Sequence, residues 1–324
     1  MDDILYISQS PLQLINNIEA SLSLESGNGK HLIFIRDKQS LEAINAILKL
    51  LTPNNYAKYE VNKLLRLFFP LILRAETQAG YRRIYFGNTT SYTSFLINKI
   101  KAKDLVHVDD GTRTIGLLQL DGNESIFKRP ALKIFDKSYL MRSNFFTYYA
   151  RQAKDAGRSY IKNSLSEVGS RIAQLKNVES MVPANHAQKL FIGTNILKAY
   201  KGIERLFEDL DRHIGLNDCI YLMHRYDDES FMEAQAQRYK FKAFKINLPI
   251  ELYFNFLWQK NEPSVWTFGS TAIDTLTLLS PKTRIHVIKL DGNRFKKTSL
   301  GDGFLKLYEH LEDNPMVSLH DFST

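Results

Sequence analysis

Short apolar runs alternate with amphipathic stretches along most of the chain, and this alternation restricts the fold more than any other feature. In the second half, helical patterns at about residues 197–212, 229–238, 249–258 and 272–279 separate the apolar runs. The runs that predict strands are Lys189–Gly193, Cys219–His224, Lys240–Lys245, Ser264–Phe268 and Arg284–Lys289. Strands that each lead into a helix form parallel sheets covered by helices. The second half is therefore predicted to be a doubly wound domain of the nucleotide-binding type.

The first half shows the same alternation, and its opening unit is the clearest. Ile4–Ser8 predicts a buried strand. Ser10, Pro11 and Gln13 then supply an N-cap, a proline at the first helical position and a capping-box glutamine for a helix that runs to about Ser23. Further strands are predicted at His31–Arg36, Arg83–Gly87 and Leu105–Val108, with helices near residues 39–51 and 91–103.

From Asp121 to about Val182 the strand pattern stops, and the chain becomes polar, basic and helical in pattern. Aromatic residues lie among its Arg and Lys residues: Phe145, Phe146, Tyr148, Tyr149 and Tyr160. Such residues can stack nucleic-acid bases, but they more often form the two faces of an ordinary helix, so no nucleic-acid partner is expected. The alternation restarts near Pro183–Gln188. This predicts an N-terminal domain over residues 1–185 with a helical basic insertion at about 121–182, and a C-terminal domain over 186–324.

Composition and charge limit the class of protein. With 44% hydrophobic and 24% charged residues, the 324-residue chain can build packed cores and is not expected to be disordered or fibrous. Its single cysteine, Cys219, permits no internal disulfide and suits a reducing compartment, so a cytoplasmic location is expected. The net charge of +8 fits an anionic partner: nucleic acid, a phospholipid surface or a phosphorylated substrate, and the charge alone does not choose among the three.

The sequence predicts no membrane span. Its first residues are acidic and no small-residue cleavage site follows them, so no secretory signal is expected. The most apolar stretch, Leu64–Leu73, is interrupted by Arg66 and Pro70 and is much shorter than the roughly 20 residues of a membrane helix. Two interpretations of this stretch stay open: peripheral contact with an anionic membrane surface, or a buried helix end or loop.

Ligands of doubly wound sheets bind beyond the carboxyl ends of the strands, so the residues that follow each strand are the candidates for function. Those of the second half are Gly193 and Thr194, His224 and Arg225, and Gly269, Ser270 and Thr271. In the first half the predicted strand Leu105–Val108 runs directly into Asp109, Asp110 and Gly111.

Each of these groups has a functional and a structural interpretation. The segment Gly269–Thr271 suits a phosphate because hydroxyls and free N–H groups meet at a helix start, or it is a plain N-cap. His224 either donates to the same phosphate or makes a structural hydrogen bond, and Arg225 is either a fixed charge or a solvent-facing side chain. Asp109 and Asp110 are either turn residues or paired carboxylates, one of which has a raised pKa and acts as a base.

Metal and nucleophile chemistry find little support in the sequence. The eight histidines are scattered without ligand spacing, so no metal and no cofactor is expected. Asp227, Asp228 and Glu229 can be read as a cation site, but capping of the following helix is the favoured interpretation. Cys219 lies within an apolar strand, which argues against a nucleophile.

The order of these motifs resembles the bacterial sialyltransferases of GT-B fold, in particular the polysialyltransferase and lipooligosaccharide sialyltransferase group. That family has a D/E-D/E-G motif, a His-Pro motif and a Ser/Thr pair, which match Asp109–Gly111, His224 with Arg225 in place of proline, and Ser270–Thr271. The opening ISQSPLQLINNIEA, which contains Ser10, and the strand LFIGT are also similar. The resemblance covers most of the chain outside residues 121–182.

This resemblance implies an α/β fold of GT-B type, with two Rossmann-like domains facing a central cleft. The donor would be a CMP-activated nonulosonic acid and the acceptor a hydroxyl of a surface glycan, with inversion and without metal. Asp109 or Asp110 would be the general base, with Asp109 favoured, and His224 would stabilise the departing phosphate. Glu251 matches the family's acidic ribose contact, or it complements the helix dipole. Together with the residues that follow the strands, the predicted substrate-binding set is Ser10, Gly111, Gly193, Thr194, Arg225, Glu251, Gly269, Ser270 and Thr271.

Two other functions compete with this one. The same fold can transfer a different activated sugar, or the chain can bind nucleotides or nucleic acid without catalysis. Steep salt dependence of nucleic-acid binding would favour the second alternative. The sequence leaves the oligomeric state open.

Overall fold

The computed structural model describes residues 3–35, 37–60, 74, 76, 80–87, 90–100, 102–120, 138–175, 189–196, 199–246, 248–254, 264–280 and 282–321. The chain divides into two compact units, Met1–Leu175 and Lys176–Thr324, which we call the first and second units. The predicted boundary at Pro183–Gln188 and the apolar stretch Leu64–Leu73 lie outside the described residues.

The first unit contains a sheet of seven strands in the order β3-β2-β1-β4-β5-β6-β7, with every neighbouring pair parallel. The strands are β1 Ile4–Ser8, β2 Lys30–Ile35, β3 Tyr56–Glu60, β4 Arg83–Phe86, β5 Asp104–Val108, β6 Asn144–Thr147 and β7 Tyr160–Lys162. Alternate residues of β1 face opposite sides: Leu5 and Ile7 pack in one apolar cluster and Ile4 and Tyr6 in another. Both faces of the sheet are therefore buried, as the apolar strands predict.

Helices connect these strands. They are α1 Pro11–Glu25, α2 Lys38–Leu51, α3 Ser91–Ile100, α4 Arg113–Leu118, α5 Ala150–Asp155 and α6 Ser166–Ala173, with a 3₁₀ turn at Ser138–Arg142. Helix α1 begins as predicted, because Ser10 Oγ accepts a hydrogen bond from the Gln13 N–H at 3.2 Å and Pro11 is the first helical residue. The Gln13 side chain accepts from the N–H of Gln9, one residue before the N-cap, at 2.8 Å.

The prediction of a purely helical insertion is wrong for residues 138–175. Strands β6 and β7 lie in this region and extend the sheet beyond β5. Phe145 and Phe146 are buried in β6, and Tyr149 is buried at the start of α5. Because β6 has only four residues and polar residues flank it, its sequence does not show the apolar run expected of a core strand. Residues 121–137 and 176–182 lie outside the described residues.

The second unit contains a sheet of six parallel strands in the order β10-β9-β8-β11-β12-β13. The strands are β8 Lys189–Ile192, β9 Cys219–Met223, β10 Lys242–Lys245, β11 Ser264–Thr267, β12 Ile285–Lys289 and β13 Val317–Asp321. The helices are α7 Ile203–Ile214, α8 Glu229–Tyr239, α9 Ala272–Leu279 and α10 Thr298–Glu312, with a helical segment at 250–254 and a 3₁₀ turn at Gly292–Arg294. All five predicted strands are confirmed, whereas β13 and α10 were not predicted.

The strand order places the functional edge of each sheet. In the first unit β1 lies beside β4, and in the second unit β8 lies beside β11. The order of strands reverses at these two pairs, and in open α/β sheets ligands bind at the carboxyl ends of such strands. Of the helices that the structure describes, none has the length and apolar character needed to cross a bilayer.

Candidate functional site

Asp109 directly follows β5 and is fully buried. Its Oδ1 accepts a hydrogen bond from Thr147 Oγ1 at 2.6 Å, and its Oδ2 accepts from the Tyr148 N–H at 2.8 Å. Both carboxylate oxygens are thus occupied by groups at the end of the neighbouring strand β6. Asn16 Nδ2 donates to the Asp109 carbonyl at 3.0 Å and ties the same residue to α1. Asp109 therefore holds the end of β5 in place.

Asp110 is the more accessible of the two carboxylates, with a side chain that is 16% exposed. Ser10 Oγ donates to Asp110 Oδ1 at 3.4 Å, so the N-cap of α1 and the carboxylate after β5 lie together. Arg113 Nη1 is 4.0 Å from Asp110 Oδ2, and the Asp110 N–H donates to Thr114 Oγ1 at 2.9 Å. Gly111, with φ of +65°, lets the chain turn directly after the carboxylate. A partly exposed carboxylate fixed at a sheet edge is suited to removing a proton.

Sequence reasoning missed a polar cluster at the ends of β1 and β4. Gln9 Nε2 donates to Thr90 Oγ1 at 2.7 Å and to Thr93 Oγ1 at 2.5 Å. A Cβ on Gly87 would lie 2.4 Å from Gln13 Cγ, so glycine at this position lets the Gln13 side chain reach the Gln9 N–H. The sequence contains a partial signal, because Gln9 follows one predicted strand and Gly87 ends another. Only the structure shows that these two strands lie where the sheet order reverses.

The second unit brings its candidates to one edge of the sheet. Strands β9, β8 and β11 are neighbours in the sheet. Their carboxyl ends therefore bring together His224 after β9, Gly193 after β8 and Gly269 in the loop after β11. The Gly193 N–H donates to the Leu222 carbonyl at 2.8 Å. Thr194, the next residue, places its Oγ1 3.3 Å from that of Thr267 at the end of β11.

His224 is held as a neutral hydrogen-bond donor. Its Nδ1 accepts from the Tyr226 N–H at 3.3 Å, so the ring proton is on Nε2. Burial, together with the charge of Arg225, lowers the pKa of His224 to about 4. Arg225 itself is exposed, and its guanidinium carbon lies 5.0 Å from the centroid of the Tyr226 ring. The arrangement presents an uncharged Nε2–H donor next to an exposed cation, which suits an anionic ligand.

The loop after β11 supports both interpretations of Ser270. Its Oγ accepts from the Ala272 N–H at 3.2 Å, which is an N-terminal cap, while the side chain stays partly exposed. Thr271 is exposed, and its side chain does not cap α9. Gly269 has φ of +123°, a conformation that disfavours any side chain, and its added Cβ would lie 3.0 Å from Leu307 Cδ2. The loop therefore has one hydroxyl partly used and one directed to solvent.

Glu251 is buried, whereas a residue that binds a ribose must be accessible to it. Its side chain is close to Thr275, whose Oγ1 donates to Glu251 Oε1 at 3.1 Å. Burial raises the pKa of the carboxyl. The structure thus places Glu251 between the helical segment 250–254 and α9, and its contact with a ribose stays a prediction.

The acidic run after His224 divides into two roles. Asp228 caps α8, as predicted, because its Oδ1 accepts from the Phe231 N–H at 3.0 Å. Asp227 instead turns back, and its Oδ2 accepts from the His224 N–H at 2.8 Å. Among the residues that the structure describes, no group of three or more His, Cys, Asp or Glu is arranged to hold a metal ion. Cys219 is buried, which raises the pKa of its thiol to about 12.

Replacing Gly193 by Ala is expected to lower the free energy of unfolding by about 1–3 kcal/mol, because the added methyl overpacks the strand end. The new Cβ would lie 2.7 Å from the His224 nitrogen, 2.8 Å from the Leu222 carbonyl oxygen and 2.9 Å from Asp227 Oδ2. Urea unfolding measures the change. Gly303, inside α10, is the matched control because an added Cβ there meets no atom within 4 Å. Equal stability of the two Ala variants would contradict the close packing at Gly193.

No known protein-family model matches the chain, and no curated protein sequence matches it significantly. Solved structures are similar in fold. Glycyrrhiza uralensis UGT73P12 complexed with glycyrrhetinic acid 3-O-monoglucuronide has a TM-score of 0.56 and 8% identity over 100% of this chain and 84% of that chain. The S. aureus MnaA-UDP co-structure has a TM-score of 0.55 and 12% identity over 97% of this chain and 89% of that chain. E. coli heptosyltransferase WaaC with ADP has a TM-score of 0.50 and 8% identity over 98% of this chain and 93% of that chain.

The similarity extends over nearly the whole chain and over two parallel-sheet α/β units. The chain has a fold of the GT-B type. This confirms the predicted fold class of two Rossmann-like domains. At identities of 8–12% the similarity shows the fold alone, so the donor, the acceptor and the reaction depend on the residues of the two candidate sites.

Proposed function

We propose that the chain is a glycosyltransferase that moves sialic acid or a related nonulosonic acid from a CMP donor to a hydroxyl of a bacterial surface glycan, such as a capsule or lipooligosaccharide. The observation that carries the proposal is the edge of the second sheet. There three adjacent strand ends bring together Gly193, His224 and the loop Gly269–Thr271. The order of the motifs along the chain, and the GT-B type fold, support the same function.

The chemistry of the leaving group explains these residue types. When the glycosidic bond breaks, negative charge collects on the phosphate of CMP, and donors placed there stabilise the transition state. The Nε2–H of His224 and the exposed Thr271 hydroxyl are donors of this kind. In the proposed reaction they take the place of a divalent cation, so no metal is required.

Asp110, rather than the favoured Asp109, is the general base of the proposed reaction. Asp109 is fully buried and both of its oxygens already accept hydrogen bonds from β6 and the residue after it. Asp110 is partly exposed, and Ser10 Oγ fixes its Oδ1. A base must reach the acceptor hydroxyl, so accessibility decides between the two carboxylates. The acceptor oxygen then attacks the anomeric carbon with inversion while CMP leaves.

The alternatives remain testable. A different nucleotide sugar is compatible with the same fold, and two of the similar structures are named with UDP or ADP. The noncatalytic nucleic-acid hypothesis loses part of its aromatic basis, because Phe145, Phe146 and Tyr149 are buried, whereas Tyr160 is exposed. We also propose a cytoplasmic location with peripheral contact to an anionic membrane face, which the net charge of +8 supports.

The decisive experiment compares CMP-, UDP-, GDP- and ADP-sugars for hydrolysis and for transfer to candidate glycans, in excess EDTA. CMP-nonulosonic acid is expected to be cleaved, and cleavage to accelerate with the correct acceptor. Turnover of another nucleotide sugar alone would replace the donor assignment. Dependence on Mn²⁺ or Mg²⁺ would contradict the metal-independent mechanism. Absence of turnover with every donor would contradict the proposal that the chain is a glycosyltransferase.

His224→Ala is expected to weaken CMP binding about tenfold or more, since a hydrogen bond to a charged group contributes about 1.5–3 kcal/mol. Turnover should fall by a further factor of about 10², because the same donor acts on charge that develops in the transition state. Calorimetry and initial rates measure the two effects. His213→Ala, an exposed histidine in the last turn of α7, is the matched control. Unchanged kinetics in the His224 variant would remove it from the site.

A further inference from the structure

We propose that Asp227 is the positioning residue for His224: its carboxylate closes the turn that presents the His224 imidazole with the proton on Nε2. The part of this inference that concerns ligand binding rests on the proposed function. Asp227 acts through His224, so its role is to fix the geometry of another side chain.

Reciprocal hydrogen bonds close the turn between the two residues. The His224 N–H donates to Asp227 Oδ2 at 2.8 Å, and the Asp227 N–H donates to the His224 carbonyl at 2.8 Å. Inside this turn the Tyr226 N–H donates to His224 Nδ1 at 3.3 Å. The backbone N–H that selects the tautomer is therefore held in place by the Asp227 carboxylate.

The turn is packed tightly against the end of β8. An added Cβ on Gly193 would lie 2.9 Å from Asp227 Oδ2 and 2.7 Å from the His224 nitrogen. The Gly193 N–H is bonded to the Leu222 carbonyl at 2.8 Å, which fixes the end of β8 against β9. The carboxylate, the turn and the strand end thus form one packed unit, and movement of Asp227 would move the imidazole.

Asp227 differs from an ordinary helix cap in the burial of its second carboxylate oxygen, Oδ1. Asp227 Oδ1 is buried and has no hydrogen-bond partner among the described residues. A buried unpaired acceptor costs free energy, whereas Asp228, which caps α8, is exposed. Two consecutive aspartates therefore have different tasks: Asp228 caps α8, and Asp227 secures the His224 turn.

Burial raises the pKa of Asp227 from its ordinary value of 3.8 to about 7. The titratable and charged groups on β9, on the turn and on α8 are Cys219, Tyr221, His224, Arg225, Tyr226, Asp228, Glu229, Glu233, Arg238 and Tyr239. Tyr221 is buried, and its pKa is raised well above its ordinary value by burial, with a smaller contribution from the Asp227 charge. Tyr221 therefore stays neutral at pH 7. The lowered pKa of His224 contributes with the opposite sign below pH 7, but wild type and Asp227→Asn share this contribution, so the difference between them reports Asp227.

The pH dependence follows from this shift. Between about pH 4 and pH 7 the folded chain keeps a proton on Asp227 that the unfolded chain has lost, so this group makes the unfolding free energy fall as pH rises. Asp227→Asn does not titrate and lacks this loss. The melting temperature of the Asn variant, relative to wild type, is expected to rise from pH 4 to pH 7 and to level off above it.

The test uses Asp227→Ala, Asp227→Asn and the control Asp228→Asn in the full chain. Imidazole ¹⁵N spectra of the free protein report the His224 tautomer, with His224→Ala for assignment. Wild type, Asp227→Asn and Asp228→Asn are expected to show the Nε2–H form, because Asn keeps an acceptor for the His224 N–H. Asp227→Ala should show a mixture of tautomers. A single Nε2–H form in Asp227→Ala would overturn the proposal.

CMP binding supplies the second readout. Asp227→Ala is expected to weaken CMP about tenfold, Asp227→Asn about twofold or less, and the double variant with His224→Ala no more than His224→Ala alone. Additive losses would show a general structural role and overturn the proposal. If Asp227→Ala does not fold, Asp227→Asn decides, because it keeps an acceptor for the His224 N–H: a mixture of tautomers in Asp227→Asn would overturn the proposal. Wild-type protein that does not bind CMP would contradict the proposed function, while the nitrogen spectra still test Asp227.

Discussion

Replacing Asp110 by Asn should lower the rate of sugar transfer by about 10²–10⁴-fold while CMP affinity changes by less than about twofold. Asn keeps the size of the side chain and an acceptor for the Ser10 hydroxyl, which lies 3.4 Å from Asp110 Oδ1. It cannot take up the proton of the acceptor hydroxyl. The loss should therefore appear in the chemical step alone. Single-turnover rates with a saturating donor, together with calorimetric titration of CMP, measure the two quantities separately.

Two comparisons make this result specific. Asp155, with a side chain that is 69% exposed in α5, is the control carboxylate, and Asp155→Asn should leave transfer unchanged. Ser10→Ala removes the hydroxyl that fixes Asp110 but leaves the carboxylate, so its transfer rate should fall less than that of Asp110→Asn. It also removes the N-cap of α1, which costs about 1 kcal/mol of stability. Wild-type transfer by Asp110→Asn would exclude Asp110 as the base.

Sequence reasoning succeeded where local chemistry determines the structure. Ser10 and Pro11 start α1 where the capping pattern predicts, and Asp228 caps α8. The predicted strands of the second half are apolar runs long enough to show their period. The rule that ligands bind after strand ends then selected His224 and Gly193, which the sheet order brings to adjacent strand ends.

The sequence could not predict features that depend on distant partners. Asp109 is separated by 38 residues from Thr147, the residue that binds its Oδ1, so the burial of one carboxylate and not the next is invisible locally. Strands β6 and β7 are short and are defined by pairing with β5 and with each other. Asp227 has the sequence signature of a cap, and only the fold shows that it faces the His224 backbone.

Asp109→Ala is expected to reduce the free energy of unfolding by about 3–5 kcal/mol, because it leaves buried polar groups without their acceptor. Thr147 Oγ1 loses a partner at 2.6 Å and the Tyr148 N–H loses one at 2.8 Å. Urea and thermal unfolding measure the loss, which should be smaller in Asp110→Ala because the Asp110 side chain is partly exposed.

The same pair of variants decides which carboxylate is the base. A structural Asp109 predicts that transfer by Asp109→Ala falls in proportion to the folded fraction and recovers at low temperature, where that fraction rises. Asp109→Asn should lose less stability than Asp109→Ala, because its Oδ1 can still accept from the Tyr148 N–H while its amide N–H donates to the Thr147 hydroxyl. If Asp109→Ala instead keeps wild-type stability and loses transfer at every temperature, then Asp109 is the base. Asp110 would then be confined to holding the N-terminus of α1 through Ser10.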